Sequence, residues 1–130
     1  MPDKHLSDTL FSELAIHPDV QKGIDDIGFE FCTPIQAISL PIALQGKDVS
    51  GQAQTGTGKT AAFLIACFHK LLNEERKESK KKNPIRALVV APTRELAIQI
   101  HEDGKQLVEH TGLKMALAYG GTDYEKQRTH

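Results

Sequence analysis

Apolar side chains recur at helical spacing early in the chain. Val20, Ile24 and Ile27 lie four and three positions apart, which puts them on one face of a helix. Pro18 precedes this face and Gly28 follows it, and these residue types suit a first helical turn and a C-terminal cap. The pattern therefore predicts a helix between these two residues.

A second helix is predicted from residue 33 onward. Thr33 offers a capping hydroxyl, and Pro34 suits the first helical position, where its missing N–H costs nothing. Pro41 is expected to bend or interrupt this helix. An apolar stripe is predicted to continue along it through Ile35, Ile38 and Ile42.

After the turn signal at residues 46–48, short apolar runs alternate with helical patterns. Strands are predicted at residues 49–53, 87–91 and 115–119, and a largely apolar helix is predicted from Lys59 to about Asn73. Thr93 is expected to cap a further helix, which Gly112 ends. The apolar positions of that helix are Leu96, Ile100 and Leu107.

This alternation predicts an α/β fold. Strand–helix–strand order implies parallel pairing through right-handed crossovers, with helices flanking the sheet. The continuous apolar run at residues 87–91 is typical of a central strand that is covered on both faces.

Composition excludes several classes of protein. The 130 residues carry 16 Lys+Arg against 17 Asp+Glu, so the chain is one domain or a piece of one and lacks the charge of a polybasic binder. The longest apolar stretch, residues 61–68, falls short of the roughly 20 residues that span a bilayer. Two cysteines and no secretory signal favour a reducing cytoplasm. The charged segment 74–83 is expected to be a solvated connection between two elements, with a basic tip that contacts RNA as the alternative.

A phosphate-binding loop stands between the first predicted strand and its helix. Glycines there let backbone N–H groups converge on phosphate oxygens, and the helix adds its positive end. Lys59 can reach the β- and γ-phosphates, and Thr60 can ligate Mg²⁺. The loop reads Ala53, Gln54, Thr55, Gly56, Thr57, Gly58, Lys59 and Thr60, with alanine where the general pattern begins with glycine. Kinases, GTPases and motor ATPases share such loops, so the loop alone does not name a reaction.

Several short sequence motifs together indicate a protein family. Cys-Thr-Pro-Ile-Gln at 32–36, the loop AQTGTGKT, Pro-Thr-Arg-Glu-Leu-Ala at 92–97 and Gly-Gly at 120–121 occur in that order. Together they resemble the Q motif, motif I, motif Ia and GG motif of the DEAD-box RNA helicases, and they are most similar to one bacterial branch. The resemblance implies a RecA-like fold, with a helical Q-motif region at 1–45 and the amino-terminal part of the ATP-binding domain at 46–130.

In this family the Q-motif glutamine reads adenine, and Gln36 holds that position. Its amide oxygen can accept from the N6 amine of adenine and its NH₂ can donate to N7, whereas guanine presents a carbonyl in place of the amine. Phe11, Phe29 and Thr33 are assigned to the same nucleotide site. Phe11 fits a core anchor equally well, and Phe29 fits packing better than ligand contact.

The resemblance assigns RNA-backbone contacts to Pro92, Thr93, Arg94, Gly120 and Gly121. A hydroxyl, an arginine and helix-start N–H groups suit phosphates, so binding independent of base sequence is expected. The alternatives are that Arg94 pairs with a carboxylate of its own domain and that the two glycines only form a turn.

The implied function is an ATP-dependent RNA helicase that uses ATP and Mg²⁺, with Lys59 and Thr60 as catalytic residues. RNA is the implied partner, and an RNA-degradation assembly with an endoribonuclease scaffold is a further candidate. The D-E-A-D and S-A-T strings do not occur in these residues, so negligible hydrolysis is expected from the 130 residues alone. A non-catalytic ATP/RNA-binding module and an unrelated phosphate-loop kinase remain as alternatives.

Overall fold

Four α-helices make up most of the regular structure. The computed structural model of the chain describes residues 6–52, 58–74 and 84–120. The helices are α1 (Pro18–Ile27), α2 (Pro34–Ala43), α3 (Lys59–Asn73) and α4 (Arg94–Val108), and a short 3-10 helix (Phe11–Glu13) precedes them. None of the helices in these ranges combines the length and the apolar character that crossing a membrane requires.

The ends of α1 confirm the prediction. His17 precedes the helix, and its Nδ1 accepts a hydrogen bond from the Asp19 N–H at 3.1 Å. Gly28 follows the helix with φ 91°, in the left-handed region where glycine carries no Cβ penalty. Val20 and Ile24 are fully buried, so the predicted apolar face is the core face.

Helix α2 also starts as predicted, but the prediction that Ile35, Ile38 and Ile42 form a continuing apolar stripe along it is wrong. Ile38 is 68% exposed and Ile42 is 42% exposed, whereas Gln36 and Leu40 are buried. Residues four apart share a helix face, so the Gln36–Leu40 face packs on α3 and the isoleucines two positions away turn outward. The helix continues through Pro41 to Ala43, so the proline does not interrupt it.

The core of the described residues is built by the four α-helices together with Phe11, Ile16 and Cys32. Helix α3 lies against α1, α2 and α4, and it buries Leu64, Ile65 and Phe68. Helix α4 contributes Ile100 and Leu107, while Leu96 remains 36% exposed. This last helix ends at Val108, earlier than predicted, and Gly112 adopts its positive φ of 76° four residues later.

Helices α1 and α4 meet at a glycine. A Cβ built on Gly23 would lie 2.7 Å from the backbone oxygen of Leu107 and 3.0 Å from that of Gln106. The two helix backbones therefore approach more closely than any side chain would permit. Elsewhere along α1, the His17 N–H donates to Nδ1 of His69 on α3 at 3.0 Å, and burial lowers the pKa of His69.

The predicted strands are not formed within the described ranges. Residues 49–52, 87–91 and 115–119 have no regular secondary structure, and the one β-bridge among the described residues pairs Leu10 with Phe31. The expected burial of the 87–91 run on both faces is also wrong, since Leu88 and Val90 are each 82% exposed. An apolar run forms a strand only if a second strand supplies hydrogen-bond partners for its backbone. That second strand comes from a distant part of the sequence, so the run alone does not ensure that a strand forms.

The glycine contact between α1 and α4 predicts a position-specific loss of stability. Gly23→Ala adds a Cβ against backbone atoms that cannot move aside, so we expect the free energy of unfolding to fall by about 1–3 kcal/mol despite the better helix propensity of alanine. Urea denaturation measures the change.

Gly104→Ala is the matched control, because its new Cβ would meet the flexible end of the Met115 side chain, at 2.5 Å. We expect that variant to be near neutral or slightly stabilised, because Met115 can rotate away. Equal losses in the two variants would contradict the backbone-contact explanation.

Candidate nucleotide and RNA site

Backbone hydrogen bonds join the segment around Thr9 and Phe11 to the residues just before α2. The Phe11 N–H donates to the Glu30 carbonyl at 2.9 Å, and the Cys32 N–H donates to the Thr9 carbonyl at 2.7 Å. This antiparallel pairing brings Phe11 beside Phe29, with ring centroids 6.2 Å apart and an interplanar angle of 19°. Phe11 is 1% exposed and Phe29 is 43% exposed, so the inner ring anchors an outer one.

Gln36 connects the start of α2 to the start of α3. Its Oε1 accepts from the Thr33 N–H at 2.8 Å, and Oγ1 of Thr33 accepts from the Gln36 N–H at 3.4 Å, which together form a reciprocal capping box. Its Nε2 donates to the carbonyl of Gly58 at 3.1 Å. A carboxamide has two donors and two acceptor lone pairs, so one of each stays available beyond these side-chain bonds.

Gly58 has two independent reasons to be glycine. Its φ of 87° lies in the left-handed region. A Cβ there would also lie 2.4 Å from Nε2 of Gln36 and 3.0 Å from Oγ1 of Thr33. Glycine at the end of the predicted phosphate loop is therefore required by the closeness of Gln36 and Thr33 as well as by its own backbone conformation.

The N-terminus of α3 differs from those of the other α-helices. Side chains of His17, Thr33 and Thr93 cap α1, α2 and α4, whereas Gly58 offers α3 no side-chain cap. The first turn of α3, like that of α2, holds no acidic residue. The first N–H groups of a helix need partners and carry partial positive charge. This helix end can therefore receive an anion.

Lys59 and Thr60 stand at that helix end and are half-buried. No carboxylate in the described ranges forms an ion pair with Lys59. The ammonium and the hydroxyl are thus available to a ligand. The loop positions before Gly58, namely Ala53, Gln54, Thr55, Gly56 and Thr57, lie outside the described residues.

One open cavity adjoins most of the predicted nucleotide-site residues. Its volume is about 1070 Å³, near the upper end of the range of small-molecule sites. The cavity is lined, among others, by Phe11, Phe29, Thr33, Gln36, Lys59 and Thr60. The structure thus brings together residues from three separate sequence strings.

The predicted RNA residues form a second group at the start of α4. Oγ1 of Thr93 accepts from the Leu96 N–H at 3.1 Å, and both Pro92 and Arg94 are exposed. The Arg94 guanidinium lies over the Tyr119 ring, 6.0 Å from its centroid. No carboxylate within residues 6–52, 58–74 and 84–120 pairs with Arg94, so this part of the chain offers no support for the alternative of an internal ion pair.

Gly120 adjoins this group, and Gly121 lies outside the described ranges. Gly120 is not among the described glycines with positive φ, and no described atom lies within 4 Å of a Cβ built on it. Neither conformation nor packing against described residues therefore requires glycine at this position.

Two features of the site were absent from the sequence prediction. The capping box was readable in principle, because threonine followed three residues later by glutamine is its signature. That signature shows that the Gln36 side chain turns back toward the start of its helix. The contact of Arg94 with Tyr119 had no sequence signal, because the two residues are far apart in the chain.

Among the described residues, the other reactive side chains offer no second site of comparable definition. Burial, with a smaller effect from Glu13, raises the pKa of Cys32 to about 11, and burial also raises the pKa of Cys67. Both cysteines are free thiols; Cys32 is buried and Cys67 is half-buried. Three exposed side chains also approach one another, those of Asp26, Glu109 and His110.

Comparison with known proteins identifies the family. The family model described as DEAD/DEAH box helicase matches residues 33–130. The ATP-dependent RNA helicase RhlB of Idiomarina loihiensis is 58% identical over 98% of this chain and 30% of the relative. The protein of the same name from Shewanella piezotolerans is 56% identical over 98% of this chain and 29% of the relative. These relatives represent the bacterial branch that the sequence strings indicate.

Solved structures confirm the predicted fold class, the RecA-like α/β fold of the DEAD-box helicases. The RNA helicase Prp28 from Chaetomium thermophilum bound to ADP has a TM-score of 0.79 and 32% identity, over 98% of this chain and 30% of that chain. A DEAD box protein from Methanococcus jannaschii has a TM-score of 0.77 and 35% identity, over 92% of this chain and 31% of that chain. The chain spans about 30% of the length of the curated relatives it matches. From the motifs, the fold and these matches together, the chain belongs to the DEAD/DEAH box helicase family.

Proposed function

We propose that this chain is the ATP-binding and RNA-contacting amino-terminal portion of an ATP-dependent RNA helicase. One observation carries the proposal: the Gln36 carboxamide donates to the Gly58 carbonyl at 3.1 Å, directly before the uncapped end of α3. A group able to recognise a purine therefore adjoins a group of N–H donors able to bind phosphates. This juxtaposition favours a helicase-type pocket over the site of an unrelated kinase.

We assign recognition of the base to Gln36. Its remaining donor and lone pair match N7 and the N6 amine of adenine, and they mismatch the carbonyl of guanine. Thr33 holds the carboxamide in orientation through the capping box. Phe29 offers an exposed ring to the base, and the buried Phe11 supports that ring from behind.

The phosphates are assigned to the start of α3 and to the loop before it. The free N–H groups of the first turn receive phosphate oxygens, Lys59 neutralises the β- and γ-phosphates, and Thr60 supplies a hydroxyl oxygen. Hydroxyl and phosphate oxygens fit Mg²⁺, a hard cation that prefers oxygen ligands and keeps part of its water shell. Bound Mg²⁺ would stabilise negative charge on the β- and γ-phosphates during phosphoryl transfer.

RNA is assigned to Pro92, Thr93, Arg94, Gly120 and Gly121. The exposed guanidinium and the start of α4 suit a phosphate, and the open space at Gly120 leaves room for a sugar–phosphate backbone. Such contacts read the backbone, so we expect little preference for base sequence. Three statements stay predictions: that an RNA-degradation assembly with an endoribonuclease scaffold is a partner, that the protein is cytoplasmic, and that the helical Q-motif region and the ATP-binding domain divide between residues 45 and 46.

Nucleotide binding by point variants tests the assignment. Lys59→Ala removes the cation, so we expect binding of ATP and GTP to weaken alike, by about ten- to a hundred-fold. Gln36→Ala removes the base-reading amide, so we expect ATP affinity to fall toward GTP affinity. Titration of fluorescent ATP and GTP analogues with Mg²⁺ measures both effects.

Lys22→Ala is the charge-matched control, because Lys22 is an exposed residue of α1. We expect this variant to bind both nucleotides as the unaltered chain does. If Gln36→Ala left the preference between ATP and GTP unchanged, the assigned role of Gln36 would be wrong.

The Gly58 contact gives a second test. In Gly58→Ala the backbone strain of φ 87° adds to a clash with Nε2 of Gln36, so we expect a loss of stability above the roughly 1–2 kcal/mol of left-handed strain, together with weaker ATP binding. Chemical denaturation and ATP titration measure the two losses.

Gly46→Ala isolates the strain, because Gly46 has φ 85° and no described atom lies within 4 Å of its Cβ position. Combining Gly58→Ala with Gln36→Ala should recover the part of the loss that comes from the clash. An identical loss for Gly46→Ala and Gly58→Ala would show that the Gln36 contact is unimportant.

A further inference from the structure

The contact between Arg94 and Tyr119 joins two strings that are distant in the sequence. Arg94 is the first residue of α4 and is exposed, and Tyr119 is a half-buried residue directly before Gly120. The guanidinium carbon lies 6.0 Å from the ring centroid, within the range of a cation–π interaction.

A ring in this position restricts the motion of a long side chain. Free arginine samples many rotamers, and ordering it on a ligand carries an entropic cost. A guanidinium held over a ring by a cation–π interaction uses none of its N–H donors for that contact, so they remain available to an acceptor. The ring therefore orients the cation and leaves its charge in place. A carboxylate partner, in contrast, would neutralise that charge.

The surroundings favour an anionic acceptor at this point. Arg94 stands at the positive end of a fifteen-residue helix, and Thr93 caps one of its N–H groups. Within the described ranges no carboxylate pairs with Arg94. At Gly120, next to the ring, a Cβ would meet no described atom within 4 Å.

We propose that Tyr119 is a positioning residue that holds the Arg94 guanidinium ready for a phosphate of single-stranded RNA. This inference rests on the proposed function, because it requires Arg94 to contact the RNA backbone. It adds that Tyr119 acts through Arg94 by means of its ring face and not by contacting RNA itself. The hydroxyl of Tyr119 is dispensable for this role.

Salt-dependent binding of RNA by the 130-residue chain tests the inference. The probe is a fluorescein-labelled oligouridylate of about twelve nucleotides, titrated at KCl concentrations from about 50 to 200 mM. Arg94→Ala is expected to reduce the slope of log affinity against log salt by about 0.7, the value for one lost phosphate contact on a single strand. Tyr119→Leu is expected to weaken binding about two- to five-fold at low salt and to reduce the slope in the same direction.

Two aromatic variants separate the ring from the hydroxyl. Tyr119→Phe and Tyr119→Trp keep a π face, so we expect both to bind RNA as the unaltered chain does. Because removal of a half-buried ring can affect folding, the thermal unfolding midpoint of every variant is measured beside the titration. Unaltered affinity in a folded Tyr119→Leu chain, or weakened affinity in folded Tyr119→Phe, would overturn the inference.

A double-mutant cycle distinguishes positioning from direct contact. In the Arg94→Ala background, Tyr119→Leu is expected to cause no further loss of RNA affinity. A further loss would mean that Tyr119 contacts RNA itself, and positioning through Arg94 would then be wrong. Lys105→Gln, on the exposed surface of the same helix, is the charge-matched control and is expected to keep both affinity and slope.

The same titrations tell this inference apart from the proposed function. If Arg94→Ala lowers the slope and Tyr119→Leu does not, the RNA contact stands and the positioning role fails. If Arg94→Ala leaves the slope unchanged, or if the unaltered chain does not bind the oligouridylate, the RNA contact assigned to Arg94 fails and the positioning role fails with it. Binding of ATP is measured separately and does not depend on either outcome.

Discussion

The hydrogen bond from the Gln36 carboxamide to the Gly58 carbonyl organises the site. Gln36 is 3% exposed, and a buried carboxamide without partners would cost roughly 1–3 kcal/mol. Its partners come from the start of α2 and from the residue before α3, so satisfying the amide also sets how these two helix ends meet. This closeness adds to the positive φ of Gly58 in requiring glycine at that position.

The open end of α3 is the complement of that constraint. A side-chain cap contributes about 1 kcal/mol to a typical helix, and three of the four α-helices have one. At α3 the cap position is a glycine, and the donors of the first turn are left without side-chain acceptors. The structure thus forgoes a local stabilising contact at the position where the sequence predicts a phosphate. A bound anion would restore the missing interaction, which would couple ligand binding to stability.

The helices and the predicted sheet segments contrast sharply in burial. Val20, Ile24, Leu64 and Ile65 are fully buried, whereas Leu88 and Val90 in the predicted central strand are each 82% exposed. Helical hydrogen bonds close within one segment, so a helix can form and bury one face wherever a neighbouring helix is at hand. A strand satisfies its backbone only through another strand, so its apolar pattern remains a prediction until a partner is in place.

The sequence alone determined the positions of the four described α-helices and the cap residues Thr33 and Thr93, because these depend on contacts within a few residues. Its motifs also indicated the family. Tertiary structure decided the rest. It turned Ile38 outward and Gln36 inward on α2, because the packing of α2 on α3 selects the buried face and local periodicity does not. It stacked Phe11 on Phe29 and placed the Arg94 guanidinium over the Tyr119 ring, since such pairs arise only when the fold brings distant segments together.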